Sequence, residues 1–235
     1  MNILAQFPTL GRPDKFLSCF KKYVDMSSGK HNLLFNINCD YADKSMNNDM
    51  ISYTIRDIVR NKTHINTAFN FDFNTTKISS INAHIATDFD IVLIISDDMI
   101  PQTFNWDDEV ASAMTTHFPQ LDGCIHFNDG YTSGKLITFS ILGRKLYEEF
   151  GYLYHPDYKS LYCDNEFTQE VNRIGRVEYV DKVIIKHEHY GEKNNSNSGD
   201  FDETAKKTLV FSGRDHQVFE ARKRLGFPKE RITDD

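Results

Sequence analysis

Asp90-Ile91-Val92-Leu93-Ile94-Ile95-Ser96-Asp97-Asp98-Met99 joins an unbroken apolar run to two adjacent aspartates. Ile91 to Ile95 are all β-branched or leucine, which predicts a strand buried on both faces, as in a parallel sheet covered by helices. The aspartates then stand at the strand's carboxyl edge. Ligands of open α/β sheets bind at that edge, and two like charges there are costly unless a cation or hydrogen-bond donors offset them. The pair predicts a divalent metal holding a phosphorylated substrate. The alternative is a solvated strand-end turn with helix-capping aspartates.

Outward from this strand, helix and strand signals alternate and predict parallel βαβ units. Residues 3–7 read as a strand that runs into Pro8-Thr9-Leu10-Gly11-Arg12-Pro13, where Gly and two Pro stop regular structure. Phe16, Leu17, Phe20 and Val24 fall at near-helical spacing, so a helix is expected over 14–24 with Pro13 suited to its first turn. Further strands are expected over 33–37, 64–71, 123–127, 135–142 and 177–185. Further helices are expected over 46–60, 77–87, 106–117, 144–150 and 166–174. Residues 191–199 contain no apolar side chain and read as a mobile loop. Residues 202–225 read as a charged amphipathic helix or helix pair.

The chain has 235 residues, 40% of them hydrophobic, with 18 Phe and 11 Tyr. That suffices for the core of one α/β domain and excludes disorder of the whole chain. A net charge of −7 argues against nonspecific nucleic-acid binding, which needs many phosphates neutralised. Lys206, Lys207, Arg214, Arg222, Lys223 and Arg224 could still form a local basic face, or be solvated helix surface. Cys19, Cys39, Cys124 and Cys163 are scattered and form no CxxC pair, so neither a zinc knuckle nor a disulfide framework is indicated. The first eight residues lack a signal-peptide pattern, and no window approaches the roughly 20 apolar residues of a membrane span. A soluble cytoplasmic protein with no membrane partner is expected.

Three other segments carry candidate chemistry. Lys186-His187-Glu188-His189 follows a predicted strand, in which His187 and His189 share a face. Either could ligate a borderline metal such as Mn²⁺, with an ordinary polar strand end as the alternative. Asp164 and Glu166 open a helix, where they could cap it or serve as a general base toward an acceptor hydroxyl. The Pro8–Pro13 loop, with Thr9, and Asp40 and Asp43 after the second strand could hold a base and ribose. Lys77 and Asn82 are weaker phosphate or sugar candidates. GxGxxG and GxxxxGK[ST] are both absent, which disfavours a dinucleotide fold and a P-loop.

Taken in order, these segments resemble a GT-A-fold glycosyltransferase of the large family 2-like group, over about residues 1–190. Ser96-Asp97-Asp98 occupies the place of the family's DxD motif, Asp164 to Glu166 that of its acceptor-side acids, and His187 to His189 that of a late histidine. The resemblance implies a Rossmann-like, mostly parallel sheet flanked by helices. The catalytic domain would span 1–190, followed by a loop over 191–200 and a C-terminal helical extension over 201–235. It further implies a nucleotide-diphosphate sugar donor such as a UDP-sugar, with Pro8, Thr9, Arg12, Asp40, Lys77, Asn82 and Asp97 on the donor. Asp98, with Asp97, His187 or His189, would hold Mn²⁺ or Mg²⁺, and Asp164 or else Glu166 would be the base of an inverting transfer. Ser96 at the first DxD position leaves the division of roles between Asp97 and Asp98 open. Compact chains of this composition are similar to bacteriophage-encoded glycosyltransferases, so a hydroxymethylated base in viral DNA joins glycans as a candidate acceptor. No obligate protein partner is evident. A nucleotidyltransferase of related fold and a noncatalytic nucleotide-sugar-binding module are the competing expectations.

Overall fold

The four-residue run Ile91–Ile94, buried throughout, is the centre of a seven-stranded sheet. The structure, a computed structural model, describes residues 1–73, 75–188, 206 and 209–232. Strands β1 (Asn2–Thr9), β2 (Asn32–Asp40), β3 (Ile65–Asp72) and β4 (Ile91–Ile94) pair in parallel. With β6 (Cys124–Phe127), β7 (Ile141–Gly143) and β8 (Val177–Val180) they give the order β3-β2-β1-β4-β7-β6-β8. β7 runs antiparallel to both neighbours, whereas β6 and β8 pair in parallel. A separate antiparallel ribbon joins β5 (Met99–Pro101) to β9 (Ile185–His187).

Side-chain alternation along the strands builds two cores. Ile3, Ala5, Phe7, Ile91, Leu93 and Ile95 face the helices α1 (Pro13–Asp25), α2 (Asp49–Val59) and α4 (Trp106–His117). Leu4, Val92 and Ile94 face α3 (Lys77–Asn82), α5 (Arg144–Phe150), α6 (Cys163–Arg173) and α7 (Ser212–Arg224). The result is a helix–sheet–helix sandwich with the carboxyl ends of β1, β2 and β4 on one edge.

Part of the second face is polar. Asn38 donates to Gln6 Oε1 at 3.3 Å and to the Ser80 carbonyl at 2.9 Å, while Asn70 donates to Asn36 at 2.6 Å and Asn38 at 3.0 Å. Gln6 reaches the Ala83 carbonyl at 2.9 Å and Asn36 the His84 carbonyl at 2.7 Å. This amide row explains why the helix expected over 77–87 stops at Asn82. The carbonyls that would continue it are drawn to the sheet, and His84 adopts a positive φ of 53°.

Two expected strands also differ. Over 135–142 only the end pairs, because the Ile137 N–H donates to the Thr168 hydroxyl at 3.0 Å instead of to a ladder. Its alternating Ile137, Phe139 and Ile141 are nonetheless buried, which is the pattern that suggested a strand. The strand expected over 177–185 splits at Asp181-Lys182, where a Lys182 N–H to Val180 carbonyl bond of 2.7 Å turns the chain out of the sheet and into the ribbon. The loop expected over 191–200 lies outside the described residues. Of the helix expected over 202–225, 212–224 is observed as α7. No helix among the described residues is long and apolar enough to cross a membrane.

Candidate active site

Beyond β4 the chain turns through Ser96-Asp97-Asp98, closed by a Met99 N–H to Ser96 carbonyl bond of 3.0 Å. α1 supports this turn from beneath. The Cys19 thiol donates to the Ser96 and Met99 carbonyls at 3.5 and 3.4 Å, and the Tyr23 hydroxyl to Met99 at 2.7 Å. Burial and the nearby aspartates push the Cys19 thiol up, so it stays a protonated donor.

The two aspartates have different surroundings. Asp97 is 9% exposed, and its Oδ1 accepts from Arg12, the residue preceding α1, at 3.2 Å. Burial pushes its carboxyl up to about 6, against the pull of Arg12 and with a push from Asp98. Asp98 accepts from the Ser96 hydroxyl and lies 3.7 Å from His187 Nε2. Burial alone would raise its carboxyl, but His187, Ser96 and Lys77 hold it well below the ordinary carboxylate range. The β5–β9 ribbon makes this neighbourhood. It sets Met99 opposite His187, and the Glu188 N–H donates to the Asp98 carbonyl at 2.8 Å.

Asp164 lies in the first turn of α6, after Tyr162 at φ 63°. Burial raises its carboxyl, while Lys77 and His187 act to lower it. Lys77 opens α3, whose start is fixed by a capping box between Thr76 and Ser79. Lys77 and His187 therefore bear electrostatically on both Asp98 and Asp164, and the four form one constellation drawn from the turn after β4, β9, α3 and α6.

The expected donor residues gather on the edge beside it. Pro8 pairs with Asn38 at the end of β1, and Thr9 is buried with no hydrogen-bond partner for its hydroxyl among the described residues. Asp43 Oδ2 accepts from the Gly11 N–H at 2.6 Å, where φ is 69°. The loop after β1 is thereby tied to the loop after β2. Asp40 accepts from the Thr75 N–H at 3.0 Å, the Thr75 hydroxyl at 3.1 Å and the Ala42 N–H at 2.8 Å, which anchors the segment leading to α3.

Other expected site residues have different work. The Asn82 amide donates to the Tyr154 carbonyl at 2.6 Å and accepts from the Leu153 and Tyr154 N–H groups at 2.9 and 3.3 Å, so its polar atoms staple α3 to a neighbouring loop. Glu166 is 4% exposed and takes a bidentate ion pair from Arg222 at 2.8 and 2.9 Å plus the Tyr158 hydroxyl at 2.7 Å. A carboxylate so occupied is a poor substitute for Asp164. Arg222 is itself fully buried, which removes it from any basic face. His189 lies outside the described residues.

Sequence reading passed over Asp129 and Asp215, and took Arg222 only as part of a basic face or helix surface. Asp129 accepts from the Tyr131 and Thr132 N–H groups at 2.8 and 2.7 Å and from the Thr138 hydroxyl at 2.8 Å, and its carbonyl receives the His187 N–H at 2.9 Å. It organises the loop after β6, against which β9 docks through this bond. Asn128-Asp129-Gly130 is an Asx-turn signal that could have found it.

A divalent cation would meet Asp98 and His187 here, since Asp97 is committed to Arg12. No group of three or more His, Cys, Asp or Glu side chains among the described residues could hold a metal ion alone. One anionic carboxylate and one imidazole fit a Mn²⁺ or Mg²⁺ whose remaining ligands are substrate phosphates and waters.

No family model matches the chain, and no curated protein matches it. Solved structures do. A mannosyltransferase from Pyrobaculum calidifontis in complex with GDP-Man and Mn²⁺ aligns with a TM-score of 0.62 at 12% identity, over 82% of this chain and 58% of that one. TarS 1-349 of S. aureus in complex with UDP gives 0.59 at 13% identity, over 79% and 60%. Glucosyl-3-phosphoglycerate synthase from Mycobacterium tuberculosis in complex with Mg²⁺ and UDP gives 0.52 at 10%, over 80% and 72%. The chain thus spans about 60% of the length of the first two. A mostly parallel seven-stranded sheet with flanking helices, shared with these enzymes, is the GT-A glycosyltransferase fold.

Proposed function

We propose that the protein is a glycosyltransferase that moves a sugar from a nucleoside-diphosphate donor to a hydroxyl acceptor with inversion at the anomeric carbon. The observation that carries this reading is the constellation of Asp98, His187, Lys77 and Asp164 on the carboxyl edge of a GT-A-type sheet. The neighbours' complexes with GDP-Man, UDP, Mn²⁺ and Mg²⁺ support the donor class and the cation.

In this reading the nucleoside lies along the edge formed by Thr9, Arg12 and Asp40. Asp98 and His187 would hold the cation, which when bound would offset charge on the diphosphate leaving group. Lys77 adds a second positive charge beside Asp98. Asp164 accepts the acceptor's hydroxyl proton as that oxygen bonds to the anomeric carbon, and the bond from that carbon to the diphosphate breaks. A carboxyl raised by burial is a stronger base than one in water, as this step requires. Arg12 keeps the buried charge of Asp97 compensated, which leaves Asp98 as the more available ligand.

Incubation of the protein with UDP- and GDP-sugars and Mn²⁺, read by mass spectrometry, tests the proposal. Release of nucleoside diphosphate with gain of one sugar mass on a glycan or a hydroxymethylated DNA base is the expected result. Pyrophosphate release from a nucleoside triphosphate would assign a nucleotidyltransferase, and donor binding without turnover on any acceptor a binding module.

A further inference from the structure

α7 carries two buried charges on its apolar stripe. Asp215, Val218, Phe219 and Arg222 are all buried, and they recur at the spacing of one helix face. Fully buried charges need partners, and both find theirs in one short segment elsewhere in the chain. Asp215 accepts from the consecutive N–H groups of Lys159, Ser160 and Leu161, at 3.1, 2.7 and 2.9 Å. Arg222 grips the same segment at its two ends, Asp157 at 2.9 Å and Glu166 at 2.8 and 2.9 Å. Arg222 also donates to the Pro228 and Glu230 carbonyls, which ties in the chain beyond α7.

Asp164 sits between these grips. Residues 157–162 belong to no strand of the sheet, and Tyr162 before α6 has a positive φ. The turn that presents Asp164 is thus fixed less by a backbone ladder than by two side chains of a helix some 50 residues later. α3 meets the same segment through the Ile78 N–H to Lys159 carbonyl bond of 3.3 Å, but its first turn, which carries Lys77, is fixed separately by the Thr76–Ser79 capping box and so keeps its place when the clamp loosens.

We propose that Arg222 and Asp215 are positioning residues for transfer: α7 clamps residues 157–166 and so holds Asp164 in register with the donor site. The clamp rests on the function proposed above, because its effect on turnover presumes that Asp164 is the base. Neither residue touches the Asp98 constellation, so the donor site should not sense their loss.

The test compares Arg222→Lys, which keeps the charge but loses the bidentate fork, with wild-type protein in turnover, donor KM, thermal midpoint and amide hydrogen exchange. The expected result is a kcat at least tenfold lower with donor KM within twofold. Exchange at Ser160–Glu166 should be at least tenfold faster, and that of β1 and β4 unchanged. Unchanged kcat despite faster local exchange, or kcat and KM degrading together with exchange rising throughout, would overturn the proposal. Should Arg222→Lys not fold, Asp215→Asn, which loses the charge and one of the two oxygens that accept from the three amides, carries the same expectations and the same refutation. A wild-type protein silent toward every donor would refute the glycosyltransferase reading instead, and the exchange data alone would then judge the clamp.

Discussion

The carboxyl edge of β1, β2 and β4, proposed to hold the donor, and the segment that bears Asp164 are held in opposite ways. The donor edge is backbone-built. β1 and β2 pair in unbroken register from Asn2↔Asn32 to Thr9↔Cys39, and β4 pairs with β1 over Ile3↔Ile91 to Gln6↔Ile94. Residues 157–166 hang instead on a few charged contacts, with sequence separations of 55 from Ser160 to Asp215 and 56 from Glu166 to Arg222. One side is therefore preorganised by the sheet and coupled to global stability. The other is positioned by side chains and can lose alignment before the fold is lost.

The largest expected effect falls on the side-chain-built half. Asp164→Asn should lower turnover by roughly 10²- to 10⁴-fold, the range for loss of a general base, while donor affinity by titration stays within twofold. Unchanged turnover would move the base elsewhere and dissolve the contrast between the halves. At the sheet's carboxyl edge, Asp98→Ala should weaken donor binding in Mn²⁺ by at least about 100-fold, since loss of even an outer partner of a metal ligand costs about 10–100-fold. Chelation of the cation should weaken wild-type binding to the same level.

Smaller effects separate stability from chemistry. Asn38→Leu deprives Gln6 and the Ser80 carbonyl of a donor and Asn70 of an acceptor. Destabilisation of about 2 kcal/mol by denaturant unfolding is expected, since buried polar groups left unpaired cost about 1–3 kcal/mol. Turnover per folded molecule should change little. Were turnover to fall by more than tenfold, the sheet side would be tuning chemistry as well as stability.

The smallest effect concerns acid. His155 is buried 3.6 Å from Asp157, and its imidazole is pushed below its ordinary value by burial and by Arg222, against the Lys229 carbonyl and the carboxylates of Glu166 and Asp157. Unfolded histidine takes up a proton near pH 6.5. Folded His155 does so only at lower pH, so the unfolded state binds more protons in this window and stability falls as pH drops through it. His126, buried in β6 and likewise lowered by burial, contributes in the same direction. His155→Gln should therefore flatten only part of the decline in unfolding midpoint between pH 7 and pH 5. A decline unaltered by the substitution would remove His155 from the acid response of the clamp.

What was legible in the sequence follows the same division. Ile91–Ile95 and the aspartates after it announce a parallel strand and its carboxyl edge because burial on both faces and local order are written in consecutive residues. The ends of α4 and α5, 106–117 and 144–150, coincide with the expected helices. The polar face of β1–β3 was hidden, although Asn36 and Asn38 alternate with Phe35, Ile37 and Cys39, because alternation ordinarily marks polar residues as solvent-facing. Here the partners are carbonyls of 80–84, far along the chain. Glu166 read as a possible base and Arg222 as helix surface for a related reason. Each is a charge whose burial depends on the other, and no local pattern reports that pairing.

The most direct measurement is calorimetric titration of the wild-type protein with UDP and with GDP, in Mn²⁺ and again in excess chelator, repeated with Asp98→Ala. Saturable binding of at least one nucleotide in Mn²⁺, lost in chelator and lost in the variant, is the expected result. Failure of both to bind, or binding equally tight without a cation and without Asp98, would contradict a diphosphate clamp at the end of the Ile91–Ile95 strand.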